Sequence, residues 1–358
     1  MRGKFVLVLG VAVAAAVAIS QWDRNPTDDD GTGPDAGVLD AGKNGTGADG
    51  EFVSSNPVDR GPNADSRPIP LVQRIDAKLK KGELSGAADS LLAAEAQLLE
   101  RVDVRGCAFR TADALIAAAK KQSGKAATKA RLAARKLYAA IYNADKATPK
   151  DRSKAFEACR ELNRIVLFSN GASSELVLLH KLKSGDRVWS LANGDWKKRG
   201  VTASPGFILF ANGISDPRRV PARGTLRVPK QRVSLLIRKS QFQLTVLLGG
   251  VPVERFKVGL GADESTPTGT FTVKTRLKNP DWYFRGRKIP FGDPENVIGT
   301  RWMGLDGSLA AEGIGIHGTD DAASVGKAVS MGCVRMRDPD VERLFEWVGL
   351  RTEVEIRE

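Results

Sequence analysis

The chain has 358 residues, 42% hydrophobic and 27% charged, a globular composition long enough for two or three domains. Its net charge of +13 is uneven, at −5 over residues 1–66, +10 over 67–168, +6 over 169–229 and +2 over 230–358. A basic middle favours anionic partners such as acidic lipid or acidic polymer, and the lack of a basic motif interleaved with aromatics argues against nucleic acid.

Taken in chain order, Arg2 and Lys4 precede an uncharged apolar run from Phe5 to Ile19, and Ala18–Ser20 at its end fits a small-residue cleavage site. A charged start, an apolar run and a small-residue site predict an export signal or N-terminal membrane anchor over 1–20. The rest of the chain is then expected in the periplasm or cell envelope. Residues 21–66 are rich in Asp, Gly, Asn and Pro and read as a flexible linker.

Residues 67–168 carry apolar side chains at three- and four-residue intervals among abundant Ala, Leu, Lys and Glu. The pattern predicts about five amphipathic helices in hairpins, repeat-like in spacing, with breaks at Gly82, Gly106, Gly124 and Pro149. The sequence names no partner for this basic region. Cys107 and Cys159 both fall in it; they either pair or sit as buried apolar residues.

Residues 175–229 read as strand, helix, helix, strand. "ELVLLHKL" is the first strand and "SGD" the turn; Asp186 is placed to cap the next helix, with Val188, Trp189 and Leu191 facing a core. "SPGFILFANGI" is the second helix and "ARGTLRVP" the closing strand. Gly185–Asp186, Trp189, Leu191–Ala192, Asn212–Gly213 and Leu226, Val228–Pro229 make the stretch resemble the lysin motif (LysM). That resemblance implies a small βααβ module that binds the sugar backbone of peptidoglycan. "DWKKRGVTA" lengthens the link between the helices. His180, in the first strand, reads as structural.

From 231 to 358 the pattern alternates, with turns at Ser240 and Gly249–Gly250, then strands at "TFTVKTRL" and "TEVEIRE" and a short helix opened by Asp338 and Pro339. The whole is therefore a multidomain α+β chain: a helical region, a βααβ module and a mostly-β C-terminal domain.

His317 is one of two histidines and Cys333 one of three cysteines, sixteen positions apart in "GIHGTDDAASVGKAVSMGCVRM". A thiol is a weak nucleophile at neutral pH until a base takes its proton, and an imidazole can return that proton to a leaving group. The ring must be held in one tautomer by an acceptor on its other nitrogen. Gly332 and Gly318 allow tight backbone around each. A buried, inert cysteine is the bland alternative; scattered His and Cys make no metal site.

"IHGT", a spacer and "SMGCVRM", after "STPTGTFTV", "NPDWYF" and "NVIGTRWMGL" in that order, resemble the L,D-transpeptidase catalytic domain over roughly 232–357. The resemblance implies Cys333 as nucleophile and His317 as base, with the Gly318 carbonyl orienting the imidazole. It also implies an oxyanion hole from the N–H groups of Gly332 and Cys333, and substrate contacts from Ser330, Arg335, Trp282 and Tyr283. Many members have His where this chain has Met331. Thr319 and Asp320 read as turn formers. The activity implied is 3–3 cross-linking of peptidoglycan stem peptides through a thioester, with no cofactor. Water as acceptor would make an L,D-carboxypeptidase; another amine would attach a protein or a D-amino acid. A non-catalytic wall-binding scaffold is the alternative of a different class.

Overall fold

The computed structural model describes residues 69–306 and 313–358; the expected export segment and linker lie outside the described residues. Five α-helices come first: α1 (Pro70–Lys80), α2 (Leu84–Leu92), α3 (Val102–Lys120), α4 (Gly124–Asn143) and α5 (Pro149–Val166). α5 opens with a capping box, in which Thr148 Oγ1 accepts from the Asp151 N–H and the Asp151 carboxylate accepts from the Thr148 N–H, next to Pro149 at the position proline favours. Gly106 does not break the chain but lies inside α3. A helix interior tolerates one glycine at a cost of about 1 kcal/mol, and here tertiary packing outweighs it. The break falls instead before α3, at a short 3₁₀ turn over Ala96–Glu100.

Cys107 and Cys159 do not pair. Both are buried free thiols: Cys107 Sγ faces Asp76 Oδ1 at 3.7 Å, and Cys159 Sγ faces the Arg135 carbonyl at 3.8 Å. Burial pushes them up to about 11 and about 12, so both remain protonated packing groups.

The module follows as β1 (Val177–Leu182), α6 (Val188–Asn193), α7 (Asp195–Lys198), α8 (Pro205–Ala211) and β2 (Gly224–Pro229), with β1 antiparallel to β2. Asp186 does not cap α6. Its Oδ2 accepts from the Lys183 N–H at 2.8 Å, closing the turn, and lies 3.2 Å from His180 Nε2. Trp189, expected to face a core, is exposed, and Trp196 is fully buried in its stead. The long link between the helices thus forms an extra turn, α7, and delivers the large ring that fills the module.

Fourteen strands are described in all. β3 (Val233–Arg238), β4 (Gln243–Leu248) and β5 (Val251–Lys257) form the meander expected from the Gly249–Gly250 turn. β7 (Gly269–Lys278), β10 (Arg301–Asp306), β11 (Gly315–Thr319), β13 (Val334–Arg337) and β14 (Glu353–Arg357) complete an eight-stranded sheet in the order β13-β11-β10-β7-β14-β3-β4-β5. Only β11/β13 and β14/β3 run parallel in it. Smaller pairs are β6 (Leu260–Gly261) with β12 (Ala328–Ser330), and β8 (Trp282–Phe284) with β9 (Arg287–Ile289). The helix α9 (Asp338–Trp347) follows β13 directly.

The unbroken apolar run Leu235–Leu236–Ile237 signals a strand covered on both faces. Leu235 and Ile237 join the domain core, while Leu236, with Leu247 and Val251, joins the core of the helical bundle. Polar groups at that seam are matched: Tyr142 Oη lies 2.6 Å from Thr245 Oγ1, and Asn163 Nδ2 donates to the Pro252 carbonyl at 2.8 Å. The module docks elsewhere, through Phe210 on Trp347 of α9 (centroids 4.3 Å apart) and Ser204 Oγ, which donates to the Glu346 carbonyl at 2.8 Å. The helices therefore cover the β5 end of the sheet, while α9, which carries the module, packs on the β10–β11–β13 end.

Candidate active site

β11 is buried along its whole length, and His317 is its central residue. Across the sheet His317 has Trp302 of β10 as its Cα partner on one side and Arg335 of β13 on the other. Laterally paired residues point to the same face, so Trp302, His317 and Arg335 form one row. Cys333 precedes Arg335 by two residues, immediately before β13. All four line one pocket of about 540 Å³, together with Trp282, Val297, Ile298, Gly313, Ser330 and Met331.

The imidazole is tightly held. It is 4% exposed and stacks on Trp302 with centroids 5.8 Å apart. Its Nδ1 lies 2.6 Å from the Gly318 carbonyl. A carbonyl can only accept, so Nδ1 carries the proton and Nε2 keeps its lone pair. Burial pushes His317 down to about 4, against the carbonyls of Gly318 and Ile298, which favour the charged ring; the Arg335 charge adds to the lowering. At neutral pH the ring is an uncharged base.

Gly318 is needed for a reason different from the one the sequence suggests. The group crowding it is not the imidazole but the Asp338 carboxylate, which a Cβ at this position would strike. That carboxylate accepts from the Thr300 N–H at 3.1 Å and does not cap α9, so it ties the residue after His317 to the start of β10.

Cys333 is half-buried at the pocket and its thiol faces the Gly313 carbonyl at 3.6 Å. Burial pushes it up to about 11, although the Gly315 backbone and the Arg335 charge pull the other way. The resting pair is therefore neutral thiol and neutral imidazole.

The turn before it is built by Ser330 and Thr266. Gly332 has φ +127°, a conformation that needs glycine. Ser330 Oγ donates to the Cys333 carbonyl at 2.7 Å and accepts from the Gly332 N–H at 3.2 Å. Thr266 Oγ1, fully buried, donates to the Gly332 carbonyl at 2.9 Å and accepts from the Gly261 N–H at 2.7 Å. The Gly332 carbonyl and the Cys333 N–H belong to one planar peptide. Fixing the oxygen therefore fixes the direction of that N–H.

Arg335 is half-buried, its Nε is buried without a hydrogen-bond partner, and no carboxylate pairs with it among the described residues. Trp282 reaches the pocket and stacks on Phe284 with centroids 4.6 Å apart. Tyr283 is not among the lining residues, as alternation along a strand dictates.

The family model of the YkuD type, the L,D-transpeptidase catalytic domain, matches residues 232–356. YqjB of Bacillus subtilis (strain 168), which carries the L,D-transpeptidase name, is 38% identical over 122 residues, covering 34% of this chain and 68% of that protein. The chain belongs to the L,D-transpeptidase family. YkuD of the same strain, also so named, is 28% identical over 194 residues, which is 50% of this chain and 99% of YkuD. An L,D-transpeptidase from Mycobacterium tuberculosis H37Rv aligns in space with a TM-score of 0.30 at 16% identity, over 51% of this chain and 92% of that one.

Three parts of this transpeptidase pocket escaped sequence reasoning. Trp302 and Thr266 lie inside segments recognised as words of the family, but nothing local marks one as the shelf of the imidazole or the other as the clamp of a turn 66 residues away. Val297 and Ile298 lie in one of the same segments, but nothing local marks them as an apolar wall of the pocket.

Proposed function

We propose that this transpeptidase forms 3–3 cross-links in peptidoglycan through an acyl-enzyme on Cys333. The observation that carries the reading is the 2.6 Å contact of His317 Nδ1 with the Gly318 carbonyl, which leaves Nε2 to serve the pocket that also holds the thiol.

Because both groups rest neutral, the proton moves as the bond forms. The Cys333 sulfur attacks the carbonyl of the third stem residue, a diamino acid, and its proton passes to His317 Nε2. Negative charge on the carbonyl oxygen meets the Cys333 N–H that Thr266 and Ser330 aim. The tetrahedral species collapses, the C–N bond to the terminal D-alanine breaks, and His317 returns the proton to that amine. An amine of a neighbouring stem then attacks the thioester and gives its proton to His317. The thiolate leaves and is reprotonated. Arg335, a planar cation with no carboxylate partner among the described residues, suits a stem carboxylate. Trp282 flanks the pocket as an apolar wall.

A chain with a basic helical region, a lysin-motif-like module and this pocket fits an exported, wall-directed enzyme, with residues 1–20 as signal or anchor. The lysin-motif reading is supported by the β1–α6–α7–α8–β2 order, in which α7 is the extra turn of the long link.

The test is intact-mass analysis with a donor tetrapeptide and with a carbapenem. An adduct on the native chain that is lost in Cys333→Ala is expected; an unmodified, correctly folded native chain overturns the proposal. Muropeptide products separate cross-linking from trimming by water and from exchange with another amine.

A further inference from the structure

The helical bundle carries a feature that the pocket does not use. Residues 114–144 contain no Asp or Glu and seven Lys or Arg. Lys125, Lys129 and Lys136 lie at steps of four and seven along α4, so they share one face. All three are exposed, and none has a carboxylate partner among the described residues. Some exposed cations elsewhere on the bundle are matched, as in Lys154 with Asp113 at 3.0 Å and Arg110 with Asp76 at 2.7 Å; what sets the α4 lysines apart is that they line one groove.

The three lysines and Arg131 line one wall of an open groove of about 1720 Å³. The 171–175 connector that leads into β1 of the module, Leu92 of α2 and Leu132 of α4 line it too. Arg131 is partly committed, since Nη2 donates to the Ala119 carbonyl at 3.3 Å. Two carboxylates, Asp89 and Glu175, also line the groove, so cations outnumber anions by four to two.

Eleven residues of helix span about 16 Å. Charges spread over that length suit repeated anions on an extended chain better than one small ion. The groove is concave, which disfavours a flat lipid surface. It has no aromatic in its lining and a single arginine, which disfavours stacked nucleic-acid bases and bidentate phosphate recognition.

We propose that this groove is a second seat for the wall polymer, where α4 holds the carboxylates of a peptide-bearing glycan strand while the pocket works on one of its stems. The proposal rests on the reading of the pocket as a peptidoglycan site, so binding is measured apart from chemistry.

The experiment compares the full chain carrying Cys333→Ala with the same chain carrying also Lys125→Glu, Lys129→Glu and Lys136→Glu. Co-sedimentation with purified sacculi is read at about 0.05 M and about 0.5 M salt, where screening differs strongly. The triple change is expected to weaken binding about tenfold at low salt, with the difference vanishing at high salt. Poly-L-glutamate should compete. With Cys333 intact, turnover of a soluble tetrapeptide should be unchanged by the three substitutions. A triple glutamine variant with native melting behaviour repeats the comparison should the glutamate variant fold poorly. Sedimentation equal to the parent in both variants overturns the proposal. Tighter capture by polyphosphate, duplex DNA or phosphatidylglycerol vesicles than by sacculi also overturns it. Absence of acylation at Cys333 would sink the catalytic reading and leave this binding result standing.

Discussion

The two histidines occupy two regions that use the same ring in opposite ways. In the module, His180 has both nitrogens occupied: Trp196 Nε1 donates to Nδ1 at 3.2 Å, and Nε2 faces Asp186 at 3.2 Å. In the pocket, His317 has one nitrogen bound to a backbone carbonyl and one left over. The cysteines divide likewise, two closed inside the helical bundle and one half-buried at the pocket. So do the arginines. Arg238, in the helix–sheet seam, donates from Nη2 to the Tyr142 carbonyl at 3.0 Å although its Nε is buried without a partner, whereas the Arg335 guanidinium has no hydrogen-bond or carboxylate partner among the described residues. Most buried polar groups find a partner, although several arginine Nε atoms away from the pocket, those of Arg105, Arg152 and Arg238 among them, do not. Spare capacity points to a ligand where, as at His317 and Arg335, the group also lines the pocket.

The sharpest way to break this contrast is through the cysteines. Cys333→Ala should lower cross-linking by about 10⁴-fold or more. Cys107→Ala and Cys159→Ala should leave the rate per folded molecule unchanged and cost about 1–2 kcal/mol each in urea unfolding. A comparable rate loss from a bundle cysteine would erase the distinction.

Next come the histidines. His317→Gln should reduce kcat about 10³-fold. His180→Gln should keep kcat and KM but lower the melting temperature, since it leaves Trp196 Nε1 and Asp186 short of a partner, a loss of about 1–3 kcal/mol.

The pH dependence of stability sharpens the same comparison. His317 has a native pKa of about 4 against an ordinary 6.5. The unfolded chain therefore takes up the proton first. The stability tied to the neutral ring is full above 6.5 and is lost as pH falls towards 4, by about 3 kcal/mol in all. Denaturant titrations at pH 7 and pH 4.5 should show this drop in the native chain and a flatter response in His317→Gln. An equal slope in the two proteins would mean that the ring is not desolvated.

The smallest expected effect belongs to Thr266. Thr266→Val keeps the shape but removes the donor to the Gly332 carbonyl; it should cut kcat about tenfold with little change in KM. Thr266→Ser should restore most of the rate. A loss that Ser does not rescue, or one carried by KM, would assign the residue to packing alone.

Periodicity in the sequence was enough to place five helices, the β3–β4–β5 meander and the strand and helix at the C-terminus, because local apolar spacing fixes which face of an element is buried. Motif words were enough to single out His317 and Cys333, since so few residues of those types exist in the chain. What the sequence missed is long-range. Whether Asp186 caps a helix or closes a turn, whether Trp189 or Trp196 fills the module, and whether Cys107 meets Cys159 all depend on which surfaces come to face each other. The same holds for the pocket: Trp302, Thr266 and Arg335 gain their roles only when β10, β11 and β13 align and a distant threonine reaches the Gly332 carbonyl. Hydrogen-bond satisfaction is a property of the packed molecule. The tertiary structure alone decided which polar groups were closed off and which were left open.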